Sequence, residues 1–216
     1  MQDLPYRVVV RMARSIAKLG GWVPEVEGAG NVPAEGSAIL ASNHISYLDF
    51  VFAAWSPMFD RGRFVRFMAK KEVFDSKATG VVMRMMKHIS VDRKNDPARA
   101  LDLAIAALER GEVIGTFPEG SINRSLVPGR GKTGAVRMAQ ATGAPIIPIA
   151  IWGAHRIFQR KPKKRLIRNV RVFIAVGPPF PVAPDEDPRL ATDRLMTTLG
   201  DMVDQLRHKD PLETTS

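Results

Sequence analysis

Cysteine is absent from this 216-residue chain, which excludes disulfides, thiolate nucleophiles and cysteine-based metal sites and fits a reducing compartment. No apolar run approaches the roughly 18 uninterrupted residues needed to span a bilayer. The N-terminal segment is not read as a secretory signal, because Arg7, Arg11, Arg14 and Lys18 interrupt it at helical spacing. Histidine is sparse and scattered, at positions 44, 88, 155 and 208, without zinc-ligand spacing, so neither a metal nor a cofactor is expected. Tyrosine is scarce and no basic strand is interleaved with aromatic residues, which argues against an RNA-recognition surface. Acidic residues are missing between Glu119 and Asp185, an interval that carries basic residues from Arg124 to Arg171 and contributes heavily to the net charge of +10. Such a surface attracts anions of any kind, whether nucleic acid, lipid headgroups or phosphorylated substrates.

The length suits one well-buried core. Leu4, Val8, Met12, Ile16 and Leu19 recur at i, i+4, i+8, which predicts an amphipathic helix over residues 1–21, suited equally to packing on the domain or to lying on a membrane. Trp22–Glu27, Ser37–Ala41, Ile89–Val91, Val113–Phe117, Pro145–Trp152 and Val170–Val176 read as strands. Asp96-Pro97 opens the clearest helix, which Gly111 stops; further helices are expected from about Lys132 to Ala141 and from Pro188 to Arg207. The alternation predicts an α/β domain over 22–216, a mostly parallel central sheet covered by helices.

Two constellations carry chemistry. Asn43-His44-Ile45-Ser46-Tyr47-Leu48-Asp49 follows the strand at Ser37–Ala41, where α/β folds place ligand sites. An aspartate one turn into the following helix can fold back on the imidazole, fix its tautomer and leave the other nitrogen to take a proton from a hydroxyl. Alone, the pair also fits a capping histidine beside a solvated aspartate. Phe117-Pro118-Glu119-Gly120-Ser121 follows a second buried strand, with a carboxylate that suits either substrate hydroxyls or an ordinary salt bridge. Neither Ser46 nor Ser121 lies in G-x-S-x-G, so a covalent serine intermediate is the less favoured route.

Together, H-x4-D and F-P-E-G-S resemble the glycerolipid acyltransferase family that includes lysophosphatidic acid acyltransferases, over about Trp22 to Ile151. Val91-Asp92-Arg93 looks like its acceptor-binding block and Pro145-Ile146-Ile147-Pro148-Ile149 like its last apolar block. The resemblance implies His44 as catalytic base and Asp49 as its orienting partner. It puts Arg93 and Lys132 on the acceptor phosphate, and Glu119, Gly120 and Ser121 at the acceptor site, with amides near Gly120 as candidate oxyanion donors. It implies a fatty acyl group moving from acyl-CoA or acyl carrier protein, as co-substrate, to 1-acylglycerol-3-phosphate, giving phosphatidic acid. Another glycerolipid or a glycolipid acceptor is the alternative, and a basic nucleic-acid- or membrane-binding protein without catalysis is the rival class. The expected partners are anionic lipid, donor and lysophospholipid, with no nucleic acid, on the cytoplasmic side of a membrane and peripheral to it. Two departures bear on the acceptor. Lys87-His88-Ile89-Ser90-Val91-Asp92 lacks the family's aromatic and glycine, and Ile122 and Asn123 stand between F-P-E-G-S and Arg124. Phe50, Val51, Phe52, Trp55, Met83, Met85 and Met86 suit an acyl tunnel or ordinary core.

Overall fold

Strands whose residues are apolar on both faces need cover on both faces, and they find it here. The computed structural model describes residues 4–77, 79–159 and 165–214; Arg160, Lys161, Lys163 and Lys164 of the basic stretch lie outside them. Strands β1 (Glu25–Glu27), β2 (Ala38–Ser42), β3 (Val65–Lys70), β4 (Ile89–Val91), β5 (Val113–Thr116), β6 (Ile146–Trp152) and β9 (Phe173–Val176) form one sheet in the order β1-β9-β6-β2-β5-β3-β4. All neighbours run parallel except β6 and β9. A two-stranded ribbon of β7 (Phe158–Gln159) and β8 (Arg165–Leu166) stands apart. The expected α/β architecture is thus present.

Helices α1 (Leu4–Gly20) and α2 (Asp49–Ala53), with a π-helical turn at Ser56–Asp60, cover one face, where Ala17, Trp22, Phe52 and Trp55 join Leu40, Ile147 and Ile149. Helices α5 (Pro97–Glu109), α6 (Gly134–Thr142) and α7 (Pro188–Lys209) cover the other, where Ala104, Leu108, Met138, Leu195 and Leu199 meet Ile39 and Ile114. Each fully buried leucine or isoleucine among these contributes about 1.5–3 kcal/mol. The short helices α3 (Lys71–Asp75), α4 (Thr79–Met85) and α8 (Pro211–Thr214) complete the chain.

Local chemistry explains the boundaries. The Asp96 side chain accepts from the Arg99 amide at 3.1 Å and Pro97 needs no partner for an N–H it lacks. Asp187 caps α7 in the same manner, accepting from the amides of Arg189 and Leu190. Strand β3 has no counterpart in the sequence reading: Arg66 and Lys70 interrupt its apolar pattern. The strand expected from Val170 begins at Phe173. In α1 the large apolar row does not face the core. Val8, Met12, Ile16 and Leu19 are exposed, Met12 at 58% and Leu19 at 74%, and the helix packs through Tyr6 and Ala17.

Candidate active site

Strands β2, β5, β3 and β4 lie side by side and run parallel, so the segments leaving their C-terminal ends gather on one edge of the sheet. These segments carry His44, Phe117 to Ser121, Lys70 and Arg93. They surround an open cleft of about 1710 Å³ lined by His44, Lys70, Arg93, Gly120, Ser121 and Lys132, among others.

Asn43 sets the first of them. Its amide exchanges hydrogen bonds with the backbone of Ile151, at 3.0 Å to the carbonyl and 2.8 Å from the N–H, and so ties the end of β2 to β6. The chain then turns into α2 and brings Asp49 back onto His44. Nδ1 of His44 lies 2.9 Å from Oδ2 of Asp49, and the same oxygen accepts the amides of Ile45 and Ser46, both at 2.6 Å. Asp49 is fully buried. Burial pushes its carboxyl upward, opposed by the hydrogen bond and charge of His44 and by the two amides. The imidazole stacks on Phe117, with ring centroids 4.2 Å apart. A ring held at Nδ1 by a buried carboxylate presents Nε2 as the proton acceptor.

Both carboxylate oxygens of Glu119 are engaged beside His44: Oε1 accepts the backbone N–H of His44 at 2.9 Å, and Oε2 accepts the side-chain amide of Asn123 at 2.7 Å. Asn123 also donates its own N–H to the His44 carbonyl at 2.6 Å. Glu119 and Asn123 therefore clamp both backbone polar groups of His44 from behind. The amide of Gly120 is donated to the Phe117 carbonyl at 2.8 Å, which removes that group from the candidate oxyanion donors.

Gly120 has φ +71°, and a β-carbon there would stand 3.0 Å from Arg93 Nη2 and 3.1 Å from Lys132 Cε. Glycine therefore lets the backbone pass between two cations. Arg93 donates to the Gly120 carbonyl at 2.5 Å. The turn that carries it is fixed by Asp92, which accepts from Lys94, Asn95 and the Lys71 ammonium. Burial, Arg93 and Lys70 all push the Lys132 ammonium below its usual range. Three cations drawn this close attract a multiply charged anion, which the planar fork of arginine and the mobile points of lysine can bind together. Lys70 escapes the sequence reading because its strand does; its position, directly ahead of Lys71-Glu72 at a strand end, is the signal that was there.

Of the proposed tunnel residues, Phe50 and Met83 line the cleft. Phe52, Trp55 and Met86 are core, and Met85 is exposed. His155 lines it too, set edge-on against Trp152 at 5.0 Å; burial and Arg156 bring its pKa down to about 4. Arg156 itself is held by Asp210 and Glu213, which fasten the C-terminal end of the chain to this corner of the cleft.

A proton-accepting dyad and a cationic anion site opening onto one cleft at the strand ends of an α/β sheet are the makings of an enzyme that works on a phosphorylated hydroxyl compound. The acyltransferase family model matches residues 23–152, and the chain belongs to that family. It is 28% identical to the 1-acyl-sn-glycerol-3-phosphate acyltransferase of Bacillus subtilis, over 81% of this chain and 82% of that one. It is 30% identical to the enzyme of the same name from Borreliella burgdorferi, over 77% and 67%. The crystal structure of the 1-acyl-sn-glycerophosphate acyltransferase of Thermotoga maritima shares the fold, with a TM-score of 0.72 at 22% identity, covering 96% of this chain and 84% of that one.

Proposed function

We propose that the protein transfers a fatty acyl group from a thioester donor, acyl-CoA or acyl carrier protein, to the free hydroxyl of 1-acylglycerol-3-phosphate, giving phosphatidic acid. The observation that carries this reading is that the His44–Asp49 dyad and the cations Lys70, Arg93 and Lys132 share one cleft. Names borne by the relatives agree with it.

In this mechanism the phosphate of the acceptor lies against Lys70, Arg93 and Lys132, which brings its hydroxyl to Nε2 of His44. Nε2 takes the hydroxyl proton as the oxygen attacks the thioester carbonyl, and Asp49 stabilises the imidazolium that forms. The tetrahedral intermediate collapses with cleavage of the carbon–sulfur bond, and the departing thiolate recovers the proton from His44. Products are one ester and one thiol. Glu119 and Asn123 act here by fixing the backbone of His44, and Ser121 lines the acceptor's side of the cleft.

The exposed row Val8, Met12, Ile16 and Leu19, flanked by Arg7, Arg11 and Lys18, is the face we assign to anionic lipid on the cytoplasmic side of a membrane. Among the described residues no helix is long and apolar enough to cross one. The reaction is tested with purified protein, anionic vesicles, long-chain acyl-CoA or acyl carrier protein thioesters, and a panel of lysolipid and glycolipid acceptors, following thiol and lipid product together. Diacyl product from lysophosphatidate that falls roughly 10²–10⁴-fold in His44→Ala supports it. Equal inactivity of both proteins with every donor and acceptor overturns it.

A further inference from the structure

The strand order divides the cleft into two sides. To one side of His44, which leaves β2, the C-terminal ends of β5, β3 and β4 lead to Lys132, Lys70 and Arg93, the cations assigned above to the acceptor phosphate. To the other side stands β6, whose exit reaches the same cleft through His155 and Phe158. The acceptor phosphate makes no use of that side.

His155 is held there by a framework of its own. Gly153 turns the chain at φ +87°, where a β-carbon would stand 2.2 Å from the Arg171 carbonyl, and His155 follows in a single 3-10 turn over Ala154–Arg156. Its ring sits edge-on to Trp152, whose indole N–H donates to Asp210 at 3.0 Å. Nδ1 is buried without a hydrogen-bond partner among the described residues, which leaves Nε2 as the nitrogen open to the cleft. A buried acceptor without a partner is tolerated better than a buried N–H without one, so the proton of the neutral ring belongs on Nε2. The cleft therefore meets an uncharged N–H donor at this corner.

Arg124 faces the same cleft from the loop after β5. Asn123 closes that loop, accepting the Ser125 amide at 2.9 Å and donating to the Val127 carbonyl at 2.6 Å, and Leu126 packs on Ala150, Trp152 and Leu206 beside β6. The loop thus crosses to the β6 side and takes Arg124 with it. Its guanidinium makes no hydrogen bond or ion pair among the described residues. Besides burial, the charges that depress the Lys132 ammonium are those of Arg93 and Lys70, so Arg124 stands apart from the phosphate group of cations.

We propose that this corner binds the thiol half of the donor: Nε2–H of His155 donates to an amide carbonyl of the phosphopantetheine arm, and Arg124 pairs with the phosphate at the end of that arm. The arm is common to acyl-CoA and acyl carrier protein. The proposal rests on the acyl-transfer reading above. What leaves the reacting centre is the acceptor phosphate, the hydrocarbon chains of donor and acceptor, and this arm. The phosphate has its own cations and the chains are apolar, whereas the arm alone joins amides to a phosphate, which a neutral donor and an unpaired guanidinium suit together.

The test measures kcat/KM for a ladder of stearoyl thioesters, those of CoA, phosphopantetheine, pantetheine, N-acetylcysteamine and a plain alkanethiol, with lysophosphatidate as acceptor. In the wild type, removal of the phosphate and removal of the amide bound by His155 should each lower the value about tenfold, the ratio that one good polar contact supplies. Arg124→Gln should flatten the step from phosphopantetheine to pantetheine. His155→Phe, which keeps a ring against Trp152, should flatten one of the amide steps below it. Each ratio is taken within one protein, so a general loss of rate cancels, and KM for lysophosphatidate should stay near its wild-type value in both variants. A wild-type ladder without these steps, or steps that persist in the variants, overturns the proposal. If Arg124→Gln flattens only the step from CoA to phosphopantetheine, its partner is the nucleotide and the assignment to the arm falls. A raised KM for lysophosphatidate with unchanged donor ratios overturns the proposal in favour of the acceptor. Should His155→Phe fail to fold, the amide steps of the wild type and the response of Arg124→Gln decide. Absence of turnover with every thioester, that of CoA included, brings down the acyl-transfer reading itself.

Discussion

At the scale of single residues, the site rests on one carboxylate oxygen. Oδ2 of Asp49 accepts from the imidazole and from two amides of the turn, so it holds both the ring and the loop that carries the ring. Asp49→Asn keeps the shape but weakens the bond that selects the tautomer. It should lower kcat by roughly 10²–10⁴-fold with little change in KM for either substrate, as steady-state kinetics would show. Lys70→Met should act on the opposite parameter. Removing one charge-assisted contact should raise KM for a phosphorylated acceptor about 10–100-fold and leave KM for the donor near its wild-type value. A rise shared equally by both substrates would remove Lys70 from the phosphate site. His44 and Asp49 are legible through H-x4-D taken together with F-P-E-G-S, since their spacing alone fits a capping histidine beside a solvated aspartate as well. It does not reveal which way Glu119 points, since that depends on Asn123 reaching His44 from a loop without periodicity. Arg93 and Lys132 are legible only through the blocks that contain them.

At the scale of elements, most boundaries follow from caps and apolar runs, as at Asp96-Pro97 and Asp187-Pro188. Strand β3 is hidden because a strand one place in from the sheet edge carries Arg66, whose guanidinium reaches Glu112 and the Lys87 carbonyl rather than the core. The face of α1 is hidden for a different reason. Close approach favours its small side, and at Gly20 a β-carbon would stand 2.6 Å from the Trp22 ring. The large apolar side chains are thereby left outside. Met12→Glu combined with Ile16→Glu should therefore reduce binding to anionic vesicles at least about tenfold in a flotation assay. The melting temperature should stay within a few degrees, because neither side chain is buried. A large fall in melting temperature would instead mean that this row packs on the domain.

At the scale of the whole molecule, the buried imidazole of His88 ties stability to pH. Its pKa falls from 6.5 in the unfolded chain to about 4 in the fold, so the folded state excludes a proton that the unfolded state accepts. The stabilisation is complete above pH 6.5 and is lost as the pH drops from there toward 4, a difference on the order of 3 kcal/mol. Urea unfolding at pH 7 and pH 5 should show about 2 kcal/mol of this loss in the wild type and a smaller one in His88→Asn; parallel losses in both would place the sensitivity in other groups. The outer strands of the sheet carry one more consequence. Both borders, β1 and β4, are three residues long, and β1 is further marked by Glu25 and Glu27, the latter paired with Lys209. Borders so short offer a neighbouring copy almost no ladder to extend. Molecules held at high local concentration can thus crowd together without fibrous self-association.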